Sequence, residues 1–420
     1  MNDALPSGMR EASRLTRAGR LTEAVALLQR VLHSGKAPYS ASDNAGVALT
    51  IDLVPDTVEV SGPEPSLRTG QQFGARDRGG AETQARAYLP KGLRPFFDRI
   101  TPTGFEGGLD GLLEPSSEDT PGASEGGKFL AKSYSSEAGS RVYKLYVPSR
   151  YRGQPLPLII MLHGCTQSPD DFAAGTRMNP NAEDHDCFVA YPAQPTSANP
   201  SKCWNWFRPG DQERGRGEPS LIAGITRQVM SEYAIDAERV YAAGLSAGAA
   251  AAVILAATYP DLYAAIGVHS GLACGAANDI PSAFAAMRQS RPAASRRPSL
   301  SSPPGVVSRT VPAIVFHGDH DKTVHPCNGD QVVAQLREDT KTELRVTVQR
   351  GQVPGGRAYR RILHVAANGQ VIFEQWIIHE AGHAWSGGST AGSFTDPHGP
   401  DATREMLRFF LEHPLRFYTR

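Results

Sequence analysis

The run RVYAAGLSAGAAAAVILAATYP, starting at Arg239, passes from a β-rich apolar segment to an alanine-rich helix former with no loop between them. A chain can turn that sharply from strand to helix only where small residues let backbones crowd together. Gly244 and Gly248 supply this around Ser246 in a G-x-S-x-G pattern. In such a setting the serine projects above the carboxyl edge of a sheet, and the helix behind it lends free N–H groups and positive potential. Ser246 is therefore the candidate nucleophile. A second match, Gly122-Ala123-Ser124-Glu125-Gly126, has no strand before it and no helix after it, so we read it as an accident of composition.

The surroundings of Ser246 fit a sheet of this kind. FLAKSY and RVYKLYVP read as paired strands, and LPLIIML, CFVAYP, RVYAAG, LYAAIGVHSG and VPAIVFHG as short apolar strands. SLIAGITRQVMSEY, the alanine-rich run, CNGDQVVAQLRE and ATREMLRFFLEHP read as helices between and after them. RAYRRILHVAANGQVIFEQWIIHE reads as a hairpin turning at Asn368-Gly369. Strands alternating with helices predict an α/β chain, with a mainly parallel sheet covered by helices on both faces.

The N-terminal part differs. Residues 8–33 read as a short helix pair, with Leu21, Ala24, Val25, Leu28 and Leu32 on one apolar face. The pair resembles a single tetratricopeptide unit, no second copy follows, and it reads as a helix pair that docks on the main domain or on a protein partner. Residues 34–127 are rich in Gly, Pro, Ser and charge, and read as a mostly disordered linker. The catalytic domain is expected over 128–420. Within it, RQSRPAASRRPSLSSPPG (288–305) reads as a solvated insertion that could serve as a flap.

Lys+Arg 43 balance Asp+Glu 43, which gives no net field to attract nucleic acid or anionic lipid. No apolar run approaches the length of a membrane span. The first residues show no continuous apolar core, so no signal peptide is expected and a cytoplasmic location is favoured. The five cysteines (Cys165, Cys187, Cys203, Cys274, Cys327) form no C-x-x-C pair. Their spacing fixes no metal site and no disulfide framework, and leaves a single bridge open.

Serine attack on an ester places negative charge on the carbonyl oxygen, which needs two preorganised N–H donors. The backbone N–H of Ala247 is the first candidate. The second is that of Cys165, in the loop His163-Gly164-Cys165-Thr166 after an earlier strand, where His163 reads as a loop-fixing residue. The acid should follow the next strand, VPAIVF. Asp321, followed by Lys322-Thr323-Val324, is favoured there over Asp319, which reads as a loop cap. The base should lie on a loop after the last strand. His383 fits that place better than His364, His379, His398 or His413.

His379, Glu380 and His383 also spell H-E-x-x-H. That motif chelates zinc when both histidines lie one turn apart on a helix. Here QVIFEQWII reads as strand, Gly382 interrupts the segment, and Gly387-Gly388 end it. Glu405 would be a distant third ligand on an ordinary closing helix. We therefore expect no metal and no organic cofactor.

The motifs RVYKLYVPSRY, LIIMLHGCTQSPDDFA, VAYPAQ, CWNWF, RVYAAGLSAGAA, FHGDHDKTV and GHAWSGG occur in the order found in polyhydroxybutyrate depolymerase-type esterases. The segment 128–420 resembles that family and its feruloyl and acetylxylan esterase relations. The resemblance implies an α/β-hydrolase fold, a Ser246–Asp321–His383 triad and an oxyanion hole from the Cys165 and Ala247 amides. It also implies substrate contact by Trp204 or Trp206, and Trp385 reads as a further wall of the site. The implied activity is hydrolysis of poly- or oligo(3-hydroxybutyrate)-type esters through an acyl-enzyme. Two alternatives are a feruloyl or acetyl esterase and a granule-associated scaffold acting through residues 8–33. Secreted members keep an extracellular location open.

Overall fold

The structure, a computed structural model, describes residues 127–288, 309–338, 340 and 343–415. The predicted helix pair, the linker up to residue 126, the first G-x-S-x-G match and the insertion beyond Arg288 lie outside these residues.

One sheet of ten strands carries the described part. Its strands are β1 (Lys128–Ser136), β2 (Gly139–Val147), β3 (Leu156–Leu162), β4 (Phe188–Pro192) and β5 (Ile235–Leu245). They continue with β6 (Ala265–His269), β7 (Ala313–Gly318), β8 (Leu344–Gln352), β9 (Ala358–Ala366) and β10 (Val371–Ile378). The spatial order is β1-β2-β4-β3-β5-β6-β7-β10-β9-β8. The six strands from β4 to β10 run parallel, and antiparallel pairs extend both edges. Every residue of β3, β4, β6 and β7 is buried, as continuous apolar runs require when both faces are covered.

The pleat sorts those side chains into two cores. Leu158, Ile160 and Leu162 of β3 join the core beneath α3 (Gly217–Glu232), α4 (Ala247–Thr258), α5 (Ile280–Arg288) and α6 (Cys327–Glu338). Ile159 and Met161 join the opposite core, beneath α1 (Pro169–Thr176), α2 (Met178–Asp184) and α7 (Ala402–Leu411). The expected mainly parallel sheet with helices on both faces is thus present. α4 is buried almost all round, so its sequence shows no polar face. The hairpin between β9 and β10 turns at Gly369, which has a φ of 84°, as read from Asn368-Gly369. Helices α1, α2 and α5 and the edge strand β8 were not expected. β8 has no buried residue in LRVTVQRGQ, so its alternation carried no core signal.

His163, His269 and His364 are buried. Desolvation pulls their imidazoles down from 6.5 to about 4, about 3 and about 4. Between those values and 6.5 the unfolded chain binds protons that the folded chain refuses. Stability is therefore full above pH 6.5 and falls as the pH drops below it, by up to about 1.4 kcal/mol per pH unit for a fully buried group. His364 has both ring nitrogens buried without a partner, which makes it the cleanest probe. Urea denaturation from pH 7 to 5 should show a shallower loss of stability in His364→Leu than in the unsubstituted protein. Equal slopes would show that His364 is not held neutral by burial.

Candidate active site

β5 ends at Leu245 and α4 begins at Ala247, so Ser246 alone makes the turn. Its φ of 58° and ψ of −118° lie outside the regions that L-residues ordinarily occupy. The strain is held from the side: the Ser246 N–H donates to the His269 carbonyl on β6 at 2.9 Å. The two glycines are needed because backbones touch. A Cβ at Gly248 would strike the carbonyl oxygens of Leu162 and His163, and one at Gly244 would strike Gly248 and Ala249. The nucleophile turn thus rests directly on the end of β3.

Ser246 lines a cleft of about 110 Å³ together with Ala247 and Cys165. Its walls are mostly apolar: Trp206, Phe207, Leu272, Ile280, Phe284, Met287 and Val324 among them, with Asn199 and Arg208 as polar members.

The loop after β3 is pinned on every side. Cys165 is bridged to Cys203, and the Thr166 N–H donates to the Ser201 carbonyl at 2.7 Å. The His163 carbonyl accepts the Trp204 indole N–H at 3.1 Å. His163 Nε2 accepts the Gln194 N–H at 3.1 Å, which leaves the proton on Nδ1 to meet the Gly164 carbonyl at 2.7 Å. That carbonyl shares a planar peptide unit with the Cys165 N–H, so fixing one fixes the other, pointed the opposite way. Ala247 opens α4, where N–H groups have no intrahelical acceptor. Cys165 and Ala247, whose amides are the expected oxyanion donors, both line the cleft.

Asp321 lies just after β7, with its carboxylate fully buried. One oxygen accepts from His383 Nδ1 at 2.7 Å and lies 3.4 Å from His317 Nε2. The other accepts the Thr323 and Val324 N–H groups, each at 2.9 Å. Burial pushes this carboxyl up, but hydrogen bonds from His317 and His383 outweigh it and hold it well below the usual carboxylate range. With the Nδ1 proton engaged, His383 Nε2 is left with its lone pair. Asp319 instead binds His379 Nδ1 at 2.8 Å and the Glu380 N–H at 2.7 Å. The side chains of that pair are 45% and 32% exposed, against 12% and 0% for His383 and Asp321.

Strands β5, β6, β7 and β10 are successive parallel neighbours, so Ser246, Asp321 and His383 all follow carboxyl ends on one edge of the sheet. The loop after β10 folds back across that edge. The Ser386 N–H reaches His269 Nε2 at 3.0 Å, while the His269 carbonyl holds Ser246. His269 thus joins the nucleophile turn to the loop that carries the base.

The H-E-x-x-H segment forms no helix: β10 ends at Ile378, and Glu380 turns the chain with a φ of 57°. Its two imidazoles are engaged by different carboxylates. The three tryptophans differ in placement. Trp204 is fully buried against the His163 ring, and Trp385 is buried between Phe172 and His269 with its N–H on Thr403. Both are packing residues because their indoles are enclosed on all sides, and only Trp206 lines the cleft. The sequence reading missed His269, His317 and Gln167. A polar residue closing an apolar strand beside the nucleophile strand, as in GVHSG, was the available signal for His269.

This arrangement has the parts needed to activate a serine hydroxyl beside an apolar group. An acetyl xylan esterase from Aspergillus awamori superposes with a TM-score of 0.51 at 18% identity, over 67% of this chain and 99% of that one. The fold is that of the α/β-hydrolases. Residues 141–345 match the family model Esterase PHB depolymerase. Poly(3-hydroxyalkanoate) depolymerase C of Paucimonas lemoignei is 33% identical over 57% of this chain and 57% of its own length. Feruloyl esterase B of Neurospora crassa is 32% identical over 43% of this chain and 64% of its own length. The chain thus spans less than two thirds of either relative.

A fluorophosphonate should label the protein at Ser246 and leave Ser246→Ala unlabelled. His383→Ala and Asp321→Asn should slow labelling at least about 100-fold, and His379→Ala and Asp319→Asn less than tenfold. Peptide mass spectrometry and labelling rates check both, and comparable slowing by His379→Ala would show that the base is misassigned.

Proposed function

We propose that the protein hydrolyses carboxylic esters with an apolar acyl group by way of an acyl-enzyme. The observation that carries this is the strained Ser246 turn on an apolar cleft, with Cys165 and Ala247 beside it and the buried Asp321–His383 pair on the same sheet edge. Ser246 Oγ attacks the acyl carbon as its proton passes to His383 Nε2. The Cys165 and Ala247 amides hold the oxyanion. The alkoxide leaves with that proton, and the Ser246 ester remains. Water then gives a proton to His383 and its oxygen to the acyl carbon, the C–O bond to Ser246 breaks, and the proton returns to the serine. Asp321 keeps its charge throughout and stabilises the imidazolium.

The substrate reading is a poly- or oligo(3-hydroxybutyrate)-type ester, in line with the name of the Paucimonas relative. The second reading, a feruloyl ester, is favoured by the aromatic wall of Trp206, Phe207 and Phe284 and by the name of the Neurospora relative. A hydroxybutyrate trimer and methyl ferulate, assayed side by side, separate the two. We expect kcat/KM for the trimer to be at least tenfold higher, and the opposite order would favour the feruloyl reading. Ser246→Ala should lower either rate by several orders of magnitude. If the protein hydrolyses neither these nor p-nitrophenyl esters, the esterase reading fails.

Among the described residues no helix is long and apolar enough to cross a membrane. The Cys165–Cys203 bridge bears on location, because disulfides persist in oxidising compartments. We therefore read the protein as working in an oxidising compartment, against the cytoplasmic expectation. Thiol alkylation of protein taken from its native cells should modify Cys165 and Cys203 only after reduction. Direct alkylation of both would favour the cytoplasm. The scaffold alternative rests on residues outside the described part.

A further inference from the structure

We propose that Gln167 is a positioning residue that locks the oxyanion loop to the loop bearing the catalytic base. This rests on the esterase reading of the same site. Gln167 is 3% exposed, and each polar atom of its side chain is engaged. Its Oε1 accepts the Gly164 N–H at 2.9 Å. Its Nε2 donates to Asp171 Oδ2 at 2.9 Å, to the Ser393 carbonyl at 3.1 Å and to Ser393 Oγ at 3.3 Å. Gly164 immediately precedes Cys165, the assigned oxyanion donor. Ser393 belongs to the segment that follows His383, and the Trp385 N–H donates to the neighbouring Phe394 carbonyl at 2.7 Å.

Two loops more than 200 residues apart in sequence thus meet on one buried amide. Capping does not explain it, since Ser168 already caps α1 by accepting the Asp171 N–H. The link has a mechanical consequence. With the Gly164 carbonyl fixed by His163, the Gly164 N–H is the remaining handle on that residue, and Gln167 holds it. Releasing the handle leaves the Gly164–Cys165 peptide held only from its carbonyl side and by the disulfide, and loosens its aim. An oxyanion donor acts mainly in the transition state, so the loss should fall on kcat and leave KM nearly unchanged.

The test uses the full chain, p-nitrophenyl butyrate and an arylboronic acid that forms a tetrahedral adduct on Ser246. Rates are expressed per serine titratable by fluorophosphonate. Gln167→Leu should lower kcat about 10- to 100-fold, a fraction of the loss from deleting a donor outright. KM should stay within threefold, and boronate affinity should fall in step with kcat. Gln167→Glu keeps the acceptor for Gly164 but sets a second carboxylate against Asp171. Adding Asp171→Asn swaps donor and acceptor across that contact, leaves only the Ser393 carbonyl facing the carboxylate, and should recover part of the kcat lost in Gln167→Glu alone. The proposal is overturned if kcat and boronate affinity of Gln167→Leu stay within twofold of the unsubstituted protein, or if KM carries the loss. Should Gln167→Leu fail to fold, equal kcat in the single and double Glu-bearing variants overturns it. Unsubstituted protein that neither hydrolyses the ester nor binds the boronate sinks the esterase reading, and this inference with it.

Discussion

Everything at the site depends on one close approach: Gly248 of the nucleophile turn against the carbonyl oxygens of Leu162 and His163 at the end of β3. There is no room for a side chain between them, so the two parallel strands β3 and β5 finish in van der Waals contact. That contact sets Ser246 and the Cys165 loop side by side before any side chain takes part. The loop then needs fastening, because a short segment at a sheet edge has few ladder bonds of its own. It is fastened by a disulfide, two backbone bonds, an indole, an imidazole and an amide. Preorganisation of this kind is what gives an oxyanion hole its value, since the donors need no rearrangement when charge develops.

The buried Asp321 carboxylate poses the opposite problem. A charge taken out of water is costly unless every lone pair finds a donor. Two backbone N–H groups of its own loop and the His383 imidazole supply them, with His317 Nε2 3.4 Å away. His317 also binds the Val324 carbonyl at 2.9 Å, which ties the acid's loop to the strand it leaves. The acid is thereby kept charged and still, as it must be to orient His383. Asp319 and His379 form a pair of the same length only a few residues away, but they stand half in water. Distance alone does not separate the two pairs, and burial does.

The sheet and most of the site were legible in the sequence for the same reason: both rest on backbone requirements that only certain residues meet. Buried parallel strands must be apolar throughout, and LPLIIML and VPAIVFHG say so plainly. A strand that turns into a helix with no loop needs Gly244 and Gly248. The order of Ser246, Asp321 and His383 follows from where strands end. What stayed hidden depends on side chains meeting across long separations. His269, Gln167 and the partner of Cys165 acquire roles only once the loop after β10 folds back over β6. The placement of the tryptophans stayed hidden for a related reason. Composition around Trp204, Trp206 and Trp385 does not say which face of an indole meets a cavity and which meets the core.

The segment that holds Trp206 shows how the cleft and the oxyanion loop become one unit. Glu218 at the start of α3 is buried, and burial raises its carboxyl. It accepts the Asn205 N–H at 2.7 Å, the Asn205 amide at 2.6 Å and the Gln194 amide at 2.5 Å. Gln194 in turn donates its backbone N–H to His163, whose other nitrogen fixes the Gly164–Cys165 peptide. The disulfide closes the circuit by joining Cys165 to Cys203, two residues before Asn205. The segment bearing Trp206 and the loop bearing Cys165 are therefore held by one polar network, while α5, which also lines the cleft, is bonded to the loop after β7 by the His325 N–H donating to the Met287 carbonyl at 2.8 Å. The lining of the cleft and the loops after β3 and β7 thus share the same contacts, so a change that widens the cleft should seldom leave those loops untouched.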